Sequence, residues 1–97
     1  MIYSLHPEAE SDLREAAEYY RERAGTTIAQ TFFGEFEHSI TLLLERPLLG
    51  ALWCHGKRRL VMRHFPYSIV YTLAPKEIQV LAVAHQSRRP GYWRKRK

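Results

Sequence analysis

Apolar positions in the first half of the chain recur every three or four residues. Ala9, Leu13, Ala16 or Ala17, Tyr20 and Ala24 share one side of a helix, the spacing that buries a single stripe. Pro7 suits the first turn, where its missing N–H costs nothing. Glu8, Glu10 and Asp12 near the start and Arg21 and Arg23 near the end follow the order favoured by the helix dipole, and Gly25 stands where a left-handed cap belongs. A second stripe, Ala29, Phe32, Phe33, Phe36, Ile40, Leu43 and Leu44, predicts a second helix, N-capped by Thr26 or Thr27 and ended by Pro47. So short a link predicts an antiparallel helical hairpin.

After Pro47-Leu48-Leu49-Gly50 the period changes to two. Residues 59–63, 67–73 and 77–85 are rich in β-branched and aromatic side chains, and Phe65-Pro66 and Ala74-Pro75-Lys76 separate them. Links this short predict an antiparallel meander. Ile2-Tyr3-Ser4-Leu5 is a further short strand. In the middle run Tyr67, Ile69, Tyr71 and Leu73 share the face expected under the helices; the side taken by His85 is open, because periodicity aligns it with Gln79, Leu81 and Val83. Strands gathered after a helical hairpin define an α+β fold, one sheet with the hairpin on one face. The 97 residues make one domain with one modest core. The tail is expected to fold over the sheet as far as Tyr92 or Trp93, with residues 94–97 fraying as a basic tail.

Charge divides the chain sharply. Residues 1–50 carry four Lys/Arg against nine Asp/Glu, a net −5, and residues 51–97 carry eleven against one, a net +10. A segment so basic repels itself until an anion neutralises it, which points to nucleic acid or an acidic protein rather than to solubility alone. The longest strictly aliphatic run, Leu42-Leu43-Leu44, is far short of a membrane span, and Met1 to Pro7 lack the basic and apolar regions of a signal peptide. A cytoplasmic protein is expected, and the lone Cys54 excludes an internal disulfide framework.

Three groups of cations are candidates for the anionic partner: Lys57, Arg58 and Arg59 with Arg63, then Arg88 and Arg89, then Arg94 to Lys97. The outer strands of a meander run parallel, so Arg63 is expected to approach Arg88 or Arg89, and converging guanidinium groups bind phosphate or carboxylate bidentately. Tyr92 and Trp93 offer rings for base stacking; Trp53 reads as a packing residue. Metal-independent RNA cleavage needs a base, a cation and an acid, and His85, Arg88 or Arg63, and Tyr92 are the residue types for those roles. A strand-end histidine hydrogen-bonded to the backbone is the structural alternative for His85. His55 and His64 are too isolated for a metal site, Cys54 has no base partner in sequence, and Gly50 and Gly56 do not make a phosphate loop. No metal or cofactor is expected.

The ordered set of strand, hairpin beginning Ala9-Glu10-Ser11-Asp12-Leu13, the Pro47 to Gly50 break, Tyr67-Ser68-Ile69-Val70-Tyr71, and the ending Val83-Ala84-His85-Gln86-Ser87-Arg88-Arg89-Pro90-Gly91-Tyr92-Trp93 resembles the RelE/ParE superfamily of toxins from type II toxin–antitoxin (plasmid-stabilisation) systems. The resemblance implies neutralisation by an acidic, partly disordered antitoxin, within a toxin–antitoxin oligomer. The long apolar-faced hairpin and the His85 to Arg89 ending look like the ParE-like side, whose members poison DNA gyrase; contact surfaces would then be Lys57, Arg58, Arg59, Arg63, Arg88, Arg89, Trp93, Arg94 and the hairpin. The alternative is a RelE-like enzyme that cleaves ribosome-bound mRNA with His85, Arg88 and Tyr92.

Overall fold

The computed structural model describes residues 1–89, 91–93 and 96. In chain order it contains β1 (Ile2–Leu5), α1 (Pro7–Ala24), α2 (Thr26–Glu45), β2 (Ala51–Leu52), β3 (Arg58–Val61), β4 (Tyr67–Ala74) and β5 (Glu77–His85). The strands form one sheet in the order β1-β5-β4-β3-β2, and the helical hairpin covers one face, so the fold is α+β. β1 lies parallel to β5, and the other pairs are antiparallel. The two-residue β2, which periodicity is too short to reveal, extends the meander by one edge strand.

Local chemistry accounts for the helix ends. The His6 Nδ1 accepts the Glu8 backbone N–H at 3.1 Å and starts α1. Gly25 ends α1 and caps α2 at once, with φ of 99°. A one-residue link leaves no room for the expected threonine cap: Thr26 is already helical, and α2 begins without a side-chain cap. Glycine tolerates that positive φ without the steric penalty of a side chain.

The inner core joins Ala9, Leu13, Ala16 and Ala17 of α1 and Phe32, Phe36, Ile40 and Leu43 of α2 to Tyr67, Ile69 and Tyr71 of β4. Phe33, Ala24 and Leu73 of the expected stripes are exposed. Adjacent Phe32 and Phe33 are about 100° apart around a helix, so both cannot point inward. Tyr71 is fully buried, and its hydroxyl accepts the Gly50 N–H at 2.9 Å and donates to the Pro47 carbonyl at 2.8 Å. A side chain at Gly50 would stand 2.6 Å from that hydroxyl oxygen, so the close approach requires glycine there.

The register of β4 on β5 shifts once: Val70 faces Ala82, but Tyr71 faces Val80. Leu81 is the extra residue of a β-bulge, and it reverses the alternation. Ile78 and Val80 before it and Val83 after it therefore all lie in the core under the hairpin. The bulge also settles the side of His85, which pairs opposite Tyr67 with their ring centroids 5.0 Å apart. On the outer face a second cluster of Val70, Ala82 and Trp93 is buried, with Trp53, Cys54, Ala84 and Tyr92 packed on it.

Candidate partner-binding face

β5 outruns its neighbour. β1 pairs as far as Leu5 and Val80, and the His6 N–H then donates to the Val80 carbonyl at 2.9 Å. Beyond that point the edge of β5 would present bare backbone groups, which need partners when buried. Side chains supply them. Asp12 of α1 accepts the Val83 N–H through Oδ2 at 3.1 Å, and Arg96 donates from Nη1 to the Leu81 carbonyl at 3.0 Å. The same Nη1 donates to Asp12 Oδ2 at 2.6 Å, and the Tyr92 hydroxyl donates to that oxygen at 3.4 Å. Arg96 also lies 3.5 Å from Glu8. The Asp12 and Arg96 side chains are only 10% and 11% exposed. The expected fraying therefore fails at Arg96, because a bare strand edge and a buried carboxylate hold it. Pro90, Arg94, Lys95 and Lys97 lie outside the described residues, so the candidate contact at Arg94 has no placement.

Between this tail and the outer sheet face lies a cavity of about 130 Å³. Two arginines frame it: the Arg59 guanidinium lies 3.5 Å from the centre of the Trp53 ring, and that of Arg88 lies 3.9 Å from the centre of the Tyr92 ring. A guanidinium flat on a ring keeps its in-plane N–H donors free for an anion. Arg89, Ser68, His85 and Gln86 complete the polar lining, and among the described residues no carboxylate joins it.

The basic residues separate by role. It is Arg59, not Arg63, that shares a cavity wall with Arg88 and Arg89: β3 ends at Val61, and the chain turns through His64 with φ of 66°. Arg58 pairs opposite Tyr71, away from the cavity wall, and donates to the Gly50 carbonyl at 2.7 Å. Lys57 is half-buried after the short 3₁₀ turn Cys54–Gly56. Base stacking is closed to the C-terminal rings as they stand. Trp93 is 1% exposed, and Tyr92 is flanked by Arg88 and, at 5.0 Å, by Arg96. Trp53 packs on the second cluster, as its sequence context implies.

His85, Arg88 and Tyr92 do come together, lining both this cavity and a neighbouring one of about 220 Å³ on the hairpin side. Asp12 and Glu15 also line the second cavity, and their carboxylates repel a phosphate. Burial, and then the Asp12 charge, push the Tyr92 phenol up to about 12. A phenol so weakly acidic, with its proton directed at a carboxylate, is poorly suited to donate to a leaving group. The His85 Nδ1 accepts the Ser87 backbone N–H at 3.0 Å and lies 2.8 Å from Ser87 Oγ, so the neutral ring carries its proton on Nε2.

Asp12 is the residue that sequence reasoning passed over. Its signal was present: it stands three residues after Ala9 and four before Ala16, beside the apolar stripe, where a carboxylate must find partners.

Comparison with known proteins fits this architecture. A family model for the ParE toxin of the type II toxin–antitoxin system parDE matches residues 3–90. No curated protein matches the chain significantly. Among solved structures, a chain of the chromosomal ParDE toxin–antitoxin system from P. aeruginosa superposes with a TM-score of 0.77 at 23% identity, over 88% of this chain and 95% of that one. That likeness is one of fold. The family match spans both the hairpin and the meander, and the protein belongs to the ParE toxin family of type II toxin–antitoxin systems.

Proposed function

We propose that this ParE-family toxin arrests growth in the cytoplasm by binding its target, DNA gyrase, through the basic outer face of its sheet, and that an acidic antitoxin neutralises it. The observation that carries a binding rather than a nuclease reading is the Tyr92 hydroxyl, which donates to Asp12 at 3.4 Å beneath the Arg88 guanidinium. The tyrosine that the nuclease reading needs as proton donor is instead engaged in holding the tail. The aromatic-backed Arg59 and Arg88, with Arg89 beside them, give the face its affinity for an anionic surface. The solved relative is itself part of a ParDE toxin–antitoxin system, which supports an antitoxin as partner. Charge complementarity favours an acidic one.

Controlled expression of the intact chain tests this reading. Growth arrest should coincide with a DNA-damage response and leave mRNA uncleaved. Tyr92→Phe, which keeps the ring under Arg88 but cuts its bond to Asp12, should still arrest growth at a higher inducer level, and His85→Ala should arrest growth as the parent does. Cleaved mRNA, abolished by either substitution, would establish the ribonuclease reading instead.

A further inference from the structure

We propose that Asp12 is a positioning residue for the binding face: from α1 it fixes Arg96 and Tyr92, and through the Tyr92 ring it sets Arg88 at the cavity. The inference rests on the reading of the outer sheet face as the one that engages the target, and it assigns that face a determinant on the opposite layer of the molecule.

The geometry forms a continuous chain. Asp12 Oδ2 takes three donors, the Val83 N–H at 3.1 Å, Arg96 Nη1 at 2.6 Å and the Tyr92 hydroxyl at 3.4 Å. The first bond ties the carboxylate to the end of β5, so its position is set by the sheet as well as by α1. The other two bring the tail to it. The Tyr92 ring then carries two guanidinium groups, that of Arg96 at 5.0 Å from its centre and that of Arg88, which lines the cavity, at 3.9 Å. Arg88 is exposed and follows directly on the turn after β5, with its N–H on the His85 carbonyl at 3.0 Å. A long exposed arginine otherwise samples many rotamers, and ordering it only on binding costs affinity. The ring removes that cost for as long as the ring itself is held. Arg96 adds a second constraint, because its bond to the Leu81 carbonyl at 3.0 Å ties the tail to the sheet at the bulge. Neutralising Asp12 takes the charge from one partner of a largely buried pair, so Arg96 loses its counter-ion, and the Tyr92 phenol keeps at most a neutral, weaker acceptor.

The decisive test is a double-mutant cycle in the intact chain, read as the inducer level needed for growth arrest, with fold and stability followed by urea denaturation. Asp12→Asn and Arg88→Ala should each raise the required inducer by roughly tenfold, and the double variant should raise it no further, as expected for residues acting through one another. Tyr71→Phe, which unties the loop after α2 instead, serves as a destabilised control and should still arrest growth. Arg88→Ala with full potency would overturn both the assignment of the face and the role of Asp12. Loss in Arg88→Ala with full potency in Asp12→Asn would overturn the role of Asp12 alone, as would multiplying effects in the double variant. A loss in Tyr71→Phe matching that in Asp12→Asn would reduce Asp12 to a stability residue and overturn the proposal as well.

Discussion

Trp93→Ala removes the largest side chain of the outer cluster and tests whether the tail is an integral part of the fold. Trp93 is 1% exposed and closes Val70 and Ala82 from the side opposite the helices, with the His55 ring edge-on 6.0 Å away. Truncating a buried tryptophan to alanine costs about 3–5 kcal/mol. A domain of this size holds on the order of 5–15 kcal/mol, so the change consumes a large share of it. The remaining polar ties, Arg96 to Asp12 and to the Leu81 carbonyl and the Tyr92 hydroxyl to Asp12, cannot refill the apolar gap. Urea denaturation followed by far-UV circular dichroism should show a loss of about 3–5 kcal/mol with the helical signal intact in water. Growth arrest should be lost as well, since Arg88 sits on the ring of the neighbouring Tyr92. A loss under about 1 kcal/mol, the size of an ordinary surface change, would refute the view that Trp93 pins the tail.

Tyr71→Phe should cost about 1–3 kcal/mol, because the Gly50 N–H and the Pro47 carbonyl each lose their hydroxyl partner; amide hydrogen exchange at Gly50 should rise with it. Gly91→Ala should destabilise the tail on two counts, a φ of 90° and a new carbon 2.7 Å from His55 Nε2; His55→Ala should restore part of the thermal stability by relieving the contact while leaving the backbone strain. The Tyr92 phenol, pushed up to about 12, binds its proton more tightly in the folded chain than in the unfolded one. Stability should therefore be fully present below about pH 10 and fall as pH rises toward about 12, which denaturation at graded pH measures. Tyr20, Tyr67 and Tyr71 are also raised by burial and act in the same direction.

Periodicity made the hairpin and the three long strands legible because each buries one face, and burial writes itself into sequence as spacing. Gly25 and Pro47 punctuate the helices for backbone reasons that need no tertiary partner. What spacing could not convey were features decided between distant segments. The Leu81 bulge shifts the side-chain alternation of β5, so His85 had no readable side until β4 was placed against it. Arg59 and Arg63 look alike along the chain, but the turn at His64 takes one away from the Arg88 wall and leaves the other on it. The basic tail showed its charge but not its anchor, because that anchor, Asp12, is 84 residues away and reads locally as one more acid near the helix start, of the sign the dipole favours.

The same anchor alters the meaning of the charge split. Had the cations of the second half been matched throughout to the acids of the first, the excess of positive charge would be a feature of folding alone. Among the described residues, the ion pairs Arg14–Glu10 and Arg21–Glu18 stay within α1, and Arg96 is the cation that crosses from the basic half to Asp12 and Glu8. Arg59 and Arg88 take aromatic rings as neighbours. Aromatic support orders a guanidinium without neutralising it, whereas a carboxylate would do both. The chain thus commits one cation to holding its own tail and leaves two ordered ones facing outward at a cavity free of described carboxylates. A surface prepared in this way meets an anionic partner with its charge intact and much of its side-chain entropy already surrendered.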